Sequence, residues 1–507
     1  MSSESHHSGA IIVLPDGGAP GGVTTWARTT AAALARIGWH VAIVGPRISQ
    51  AAWSPARFVV DAKPTIAGIS DGVLQASNTL RDRYDDRVVA LPQLSGAAYA
   101  GTVAGMHRAG HPNSGIIGWM HTDIRHDIEL IRRFLPCLGR VVCVSRSAEH
   151  ALAAAGVCQA GLSVVVPTAS DMEFDDGNSR RPATGPLQLL YVGRVESFQK
   201  RALCLPAIVA DLQRRGCPSE MTVVGDGPAR PQLRELVRSM GLEGAIRLRG
   251  MLPCDAIAAA YATHDLLVQP SRSEGLGLAR IEAAMHGCVP VVTPGGSAEG
   301  ITHAVDGLVV AIPPDADDPA TASAFADAIA PISRHELGAF SQAARQSSRA
   351  TFAVGPYAGA LDQILARASA SHAVRSAWAS IAQDPDRAAA FTVPDDLLER
   401  IRASRSGLVG RPIVLHGAGA HTSAAWGPLM DAGVDIVAIT DDDPQRWGDH
   451  LHGVPIVAPE HVPSNAHAVL LSTWLHEDAL WARRRFYEER GLEVVRLYAK
   501  PEAASTG

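Results

Sequence analysis

The stretch Ser273-Glu-Gly-Leu-Gly-Leu-Ala-Arg-Ile-Glu-Ala283 carries two glutamates, Glu274 and Glu282, eight residues apart with two glycines between them. It follows a short apolar run, Asp265–Gln269, and leads into a helical segment that ends near Gly287. A glycine turn that opens a helix aims several backbone N–H groups at one point, and such a point attracts phosphate. Carboxylates on either side of it would repel phosphate but accept strong hydrogen bonds from hydroxyl groups. The ligand this pattern suits has phosphate in the middle and polyols at both ends, as a nucleotide sugar does. By itself the segment fits equally well a tight strand-to-helix turn with an acid in the first helical turn.

The rest of the chain sets the context. Its 507 residues are enough for two to four domains. A net charge of −6 provides no basic field for nucleic acid. No apolar run has the length of a membrane span, and Gly9–Leu14 reads as a first buried strand. Seven scattered cysteines without a Cys-x-x-Cys pair read as reduced thiols, which makes a cytoplasmic location the expectation. The histidines show no His-Glu-x-x-His spacing, so no metal site is expected. Of 45 basic residues only Lys63, Lys200 and Lys500 are lysine, so a lysine beside a motif carries weight.

Residues 1–180 alternate short strands and helices. The strands expected are Ala10–Leu14, His40–Val44, Val88–Leu91, Gly115–Met120, Arg140–Ser145 and Ser163–Val166. A polar stretch, Asp171–Gly185, separates them from a second alternating unit, residues 186–367, with strands at Leu187–Val192, Glu220–Val224, Ala245–Leu248, Leu266–Val268, Val289–Val292 and Leu308–Val310. Both read as doubly wound parallel sheets whose strand ends face a cleft. Residues 368–405 read as a helical, charged linker. Residues 406–507 read as a small Rossmann-like unit with strands Arg411–Leu415, Val434–Thr440 and Ala468–Ser472, the last leading to Trp474 and His476.

Other features of the second unit fall at strand ends. Leu187–Val192 is followed by Gly193-Arg194, with Lys200 six residues on; an arginine fork and a lysine point charge can clamp a diphosphate. Glu220–Val224 ends in Gly225-Asp-Gly-Pro228, and Ala245–Leu248 ends in Arg249-Gly-Met-Leu-Pro253.

In this order and spacing, Gly193-Arg-x5-Lys200, Val224-Gly-Asp-Gly-Pro228, Arg249-Gly and Ser273-Glu-Gly-Leu-Gly-Leu…Glu282 resemble the C-terminal half of the family-4 retaining glycosyltransferases of GT-B fold. The resemblance covers about residues 9 to 367. It implies an α/β architecture of two Rossmann-like domains and a UDP- or GDP-sugar donor without a metal or other cofactor. It implies that Arg194 and Lys200 hold the diphosphate, Glu274 the donor sugar and Glu282 the ribose, with Gly275, Leu276, Gly277 and Leu278 lending N–H groups. Asp226, Gly227, Gly250 and Leu252 would complete the donor site, and base selection would rest on the backbone near Gly250–Leu252. Glu274, His121, Arg194 and Lys200 are the residues expected to carry the chemistry. Gly21 and Gly22, in Gly17-Gly-Ala-Pro-Gly-Gly-Val-Thr24, resemble the acceptor-side loop, and His121 follows the strand Gly115–Met120. The chain departs from the family at Leu276, where an aromatic is usual, at Arg201, where glycine is usual, and at Pro167–Asp171, which lacks the Asn-Gly of the domain crossover.

The expected partners are a nucleotide sugar and a small-molecule or glycan acceptor. Ile128–Phe134 is a short candidate for peripheral membrane contact. A sugar-nucleotide epimerase and a non-catalytic sugar-nucleotide binding protein are the rival classes. Asp315-Ala-Asp317, the one Asp-x-Asp of the first two domains, reads as loop. In the third unit Gly417, Gly419 and Asp441 form a weak dinucleotide fingerprint. A nucleotide site, an acceptor-binding module and a packing domain without ligand all fit it.

Overall fold

The computed structural model describes residues 8–497 apart from 19–20, 85–86, 158–160, 173–183, 198, 314–315, 390–407, 409–410, 432 and 474–476. Part of the stretch Asp171–Gly185, residues 390–405 of the expected linker, Asp315, Trp474 and His476 therefore lie outside the described residues. The chain divides into two compact units, Met1–Ala389 and Ala390–Gly507.

The first unit holds two parallel sheets. Strands β1 (Ser8–Val13), β2 (His40–Gly45), β3 (Phe58–Asp61), β4 (Arg87–Pro92), β5 (Ser114–Met120), β6 (Arg140–Cys143) and β7 (Ser163–Val165) lie in the order β3-β2-β1-β4-β5-β6-β7. Strands β8 (Leu187–Val192), β9 (Ser219–Val224), β10 (Ile246–Gly250), β11 (Leu266–Gln269), β12 (Val289–Val292) and β13 (Leu308–Val309) lie in the order β10-β9-β8-β11-β12-β13. The central strands are mostly apolar because helices cover both faces. Ile11, Ile12 and Val13 of β1, and Leu189 and Leu190 of β8, are fully buried. In each sheet the chain moves outward from the first strand on one side and then restarts on its other side. This leaves a switch point, and so a crevice, at the carboxyl ends of β1 and β4 and of β8 and β11.

The two halves share a core. Trp26 and Trp119 of the first half, with ring centroids 4.7 Å apart, belong to the same apolar cluster as Leu276, Ile281 and Met285 of the second. The chain then crosses back. Helix Val354–Leu365 packs on helix Gly22–Arg36, with Thr30 Oγ1 and Tyr357 Oη 2.7 Å apart and the Trp39 indole donating to Asp362 at 2.8 Å. Helix His372–Gln383 buries Trp378 on the first sheet, where its indole donates to the Cys137 carbonyl at 2.8 Å. The segment that reads as a linker from residue 368 thus begins as two helices of the first unit, ending at Ala389, because Trp378 finds its apolar partners there.

The second unit is a six-stranded sheet of order β16-β17-β15-β14-β18-β19, built from β14 (Pro412–His416), β15 (Asp435–Thr440), β16 (His450–Leu451), β17 (Val454–Val457), β18 (Ala468–Leu471) and β19 (Glu493–Arg496). All its pairs are parallel except β16 with β17.

Candidate functional site

The strand ends of the second sheet meet through backbone contacts that exclude side chains. Gly193 N–H donates to the Val224 carbonyl at 3.0 Å, Val195 N–H to Asp226 at 2.9 Å, and Gly225 N–H to Gly250 at 2.8 Å. A Cβ on Gly225, whose φ is +131°, would stand 1.9 Å from the Gly193 carbonyl oxygen, so only glycine fits. These contacts bring the ends of β8, β9 and β10 to one rim.

On that rim Arg194 is exposed, and its side chain enters none of the described hydrogen bonds or ion pairs. Lys200 reaches across 74 residues of sequence: its Nζ lies 2.6 Å from Glu274 Oε1. The same oxygen accepts from the Ser271 hydroxyl at 2.7 Å, and the Glu274 side chain is only 8% exposed. Lys200 N–H donates to the Glu196 carboxylate. The neighbouring Arg201 sits in the left-handed region at φ +48°, which is the conformation that glycine, usual here in the family it resembles, adopts without strain.

The turn itself is built against the other half of the unit. A Cβ on Gly275 would fall 1.5 Å from the His121 carbonyl oxygen, and one on Gly296 2.1 Å from the Glu274 carbonyl oxygen. Leu276 is buried in the core shared by the halves. Gly277 at φ +75° precedes helix Leu278–Met285, which no side chain caps, so the helix's first N–H groups face the turn. Glu282 lies one turn into that helix and accepts from the Tyr261 hydroxyl at 3.0 Å. Burial pushes its carboxyl up to about 7, opposed by the Tyr261 hydrogen bond and reinforced by Asp171.

Asp226 accepts from Gly227 N–H at 2.8 Å and lies 3.3 Å from Arg230 Nη1. Gly250, at φ +68°, lies under Arg230, and Leu252 packs beside Val224 and Tyr261. Asp317 caps helix Asp318–Ile329, accepting from Ala320 N–H at 2.8 Å. Among the described residues no group of three or more His, Cys, Asp or Glu side chains could hold a metal ion.

Two residues of this region carry no signal in the motifs. Arg280, in the helix Leu278–Met285, is buried, donates through Nε to the Leu276 carbonyl at 3.2 Å and stands 5.0 Å over the Phe352 ring. Burial lowers its pKa to about 10, against the pull of Glu299, Asp306 and Glu274. Ser271 is legible only as a strand-end serine.

On the first sheet His121 follows β5. Its Nε2 lies 2.5 Å from Gln93 Oε1, and its ring meets Trp26 edge-on at 5.0 Å. Burial lowers its pKa to about 4, against the pull of Asp127, so the ring is neutral at pH 7. Asp123 accepts from the Ser147 hydroxyl at 2.9 Å, and burial raises its pKa. Arg146 N–H donates to Glu299 Oε2 at 3.0 Å, tying the halves together again. Gly21 and Gly22 are exposed at the start of helix Gly22–Arg36, and a Cβ on Gly22 would meet nothing within 4 Å. Helix Arg125–Phe134 buries Leu130, Ile131 and Phe134 in the first half's core.

In the second unit Gly417 has φ +114°. The Asp441 carboxylate accepts from Ala418 N–H at 2.7 Å and from Asp443 N–H at 2.9 Å, while Arg446 donates to the Ala418 carbonyl at 2.6 Å. Asp441 thus braces the turn that follows Gly417, and a Cβ on Gly419 would meet nothing within 4 Å. Although burial opposes it, His416 and Arg483 hold the Asp442 carboxyl well below the usual range.

Residues 186–334 match the family described as Glycosyl transferases group 1. A D-inositol 3-phosphate glycosyltransferase of Corynebacterium kroppenstedtii is 24% identical over 361 residues, which are 61% of this chain and 77% of that protein. A glycogen synthase of Mycobacterium tuberculosis is 34% identical over 156 residues, 28% of this chain and 37% of that enzyme. The solved structure of a sucrose-phosphate synthase from Thermosynechococcus elongatus superimposes with a TM-score of 0.56 at 19% identity, covering 70% of this chain and 98% of that one. The fold is therefore GT-B, with a glycosyl transferases group 1 domain at residues 186–334. Among the described residues no helix is long and apolar enough to cross a membrane.

Proposed function

We propose that this protein is a retaining glycosyltransferase that moves a hexosyl group from a UDP- or GDP-sugar to a hydroxyl of a small-molecule or glycan acceptor. The observation that carries this reading is the meeting of Lys200, Glu274 and the uncapped start of helix Leu278–Met285, with Glu282 one turn further on. Arg194, Lys200 and the turn's N–H groups supply positive charge for a departing diphosphate, the part a metal plays elsewhere. Glu274 accepts hydroxyls of the sugar and Glu282 those of the ribose. Departure of the diphosphate leaves an oxocarbenium-like sugar. The acceptor hydroxyl attacks from the same face and a leaving phosphate oxygen takes its proton. His121, neutral and fixed by Gln93, lines the acceptor side.

A thermal-shift screen of UDP- and GDP-sugars tests it. A donor at about 100 times its dissociation constant should stabilise the protein by roughly 2.7 kcal/mol. The reading fails if no nucleotide sugar shifts the transition. Incubation with donor alone separates it from an epimerase, which would form an epimer without acceptor. Absence of turnover across a broad acceptor panel would favour a binding protein.

A further inference from the structure

Glu274 is held by more than its lysine. Its Oε1 accepts both Lys200 Nζ, at 2.6 Å, and the hydroxyl of Ser271, at 2.7 Å. Ser271 is 1% exposed and is itself fixed: its carbonyl accepts from Thr293 Oγ1 at 2.6 Å. The Thr293 carbonyl in turn accepts from Ser297 Oγ at 2.7 Å, and both residues are buried. Ser297 stands in the turn whose Gly296 lies against the carbonyls of Glu274 and Gly275. A run of buried hydroxyls therefore starts in that turn and ends on one oxygen of the glutamate. Both described donors to the Glu274 carboxylate fall on Oε1, so the carboxylate is held from one side before any ligand arrives.

We propose that Ser271, anchored by Thr293, is a positioning residue that fixes Glu274 so that Oε2 meets a donor-sugar hydroxyl. The inference rests on the nucleotide-sugar reading above. Serine here acts on the sugar and leaves the nucleotide alone, so the two ligands respond differently to its loss. Lys200 holds the same oxygen as a flexible point charge, which fixes distance but not plane; the hydroxyl adds the second direction that defines the plane.

The test measures binding of UDP, GDP, UDP-glucose, UDP-N-acetylglucosamine and GDP-mannose by calorimetry, together with the rate of donor hydrolysis at saturation. Variants are Ser271→Ala, Ser271→Thr, Glu274→Gln and Thr293→Val, the last keeping the Ser271 hydroxyl but removing its anchor. For whichever nucleotide sugar binds the native protein, Ser271→Ala should lose about 10-fold in affinity and at least 10-fold in hydrolysis rate, as expected for one lost hydrogen bond to a charged group. Affinity for the matching nucleoside diphosphate should stay within 2-fold. Ser271→Thr should restore both sugar-dependent quantities, and Thr293→Val should lose a smaller part of them. Equal losses for sugar nucleotide and diphosphate, or no loss in Ser271→Ala while Glu274→Gln is impaired, would overturn the positioning role alone. Failure of the native protein to bind any of the five ligands would overturn the donor reading and this role with it.

Discussion

Replacing Lys200 by methionine keeps the length of the side chain and removes one charge of a nearly dry pair. The partners are 2.6 Å apart, with side chains 20% and 8% exposed. Removing one member of a buried pair costs about 3–5 kcal/mol because the other charge is stranded. Here the Ser271 hydroxyl still donates to Glu274, and Lys200 keeps some contact with water, so the expected cost falls to about 2–3 kcal/mol. Glu274→Gln strands the lysine, which is the more exposed partner, and should cost about 1 kcal/mol. The double variant has no stranded charge, so its loss should be smaller than that of Lys200→Met alone, a coupling of about 2 kcal/mol. At roughly 2–4 °C per kcal/mol, differential scanning calorimetry should show Lys200→Met melting about 4–12 °C lower and the double variant recovering much of the gap. Additive losses, within about 0.5 kcal/mol, would mean that the two side chains do not depend on each other and would refute the pairing.

Four further outcomes are expected. Gly275→Ala would set a methyl group 1.5 Å from the His121 carbonyl oxygen, so the halves must part there; turnover should fall about 100-fold, checked by donor-consumption kinetics. Arg194→Ala should lower kcat/KM through roughly 2–4 kcal/mol of lost charge stabilisation, and near-normal transfer would exclude a diphosphate clamp. Glu282 titrates near 7, above its unfolded value, so its contribution to stability is full below about pH 4.5 and is lost as pH rises through about 7. Glu282→Gln should therefore melt higher than the native protein at pH 8, by about 2 kcal/mol, and match it at pH 4.5, while nucleotide binding near pH 6.5 should release protons, measured by calorimetry in two buffers. A chain ended after Ala389 should keep the fold of the first unit, whereas one ended after Arg367 loses Trp378, whose burial is worth about 3–5 kcal/mol, and should unfold at lower denaturant concentration.

Much of the site could be read from local pattern. Gly193 and Gly225 follow apolar runs and Gly250 an alternating one, Ile246-Arg-Leu-Arg249, so each marks a strand end, and parallel order sends those ends to one rim. The strand Phe58–Asp61 escaped that reading, because four residues between a polar loop and a helix carry little periodicity. So did the three short strands that complete the sheet of the second unit, β16, β17 and β19. In the second unit Gly417 and Asp441 have the spacing of a ribose-binding fingerprint, and only the structure shows that the carboxylate accepts from the N–H groups of Ala418 and Asp443.

By itself the sequence determined two successive parallel α/β halves, the glycine turns at their strand ends, and the residue types gathered there, because strand and helix follow from periods of a few residues and from turn chemistry. Only the tertiary structure decided what those residues touch. Lys200 meets Glu274 across 74 positions. Gly275 is obligatory because of a carbonyl in the other half, and Trp378 closes the first sheet from far down the chain. Such partners are chosen by sheet order and by the crossing of the chain between halves, and neither leaves a trace in the spacing of neighbouring residues.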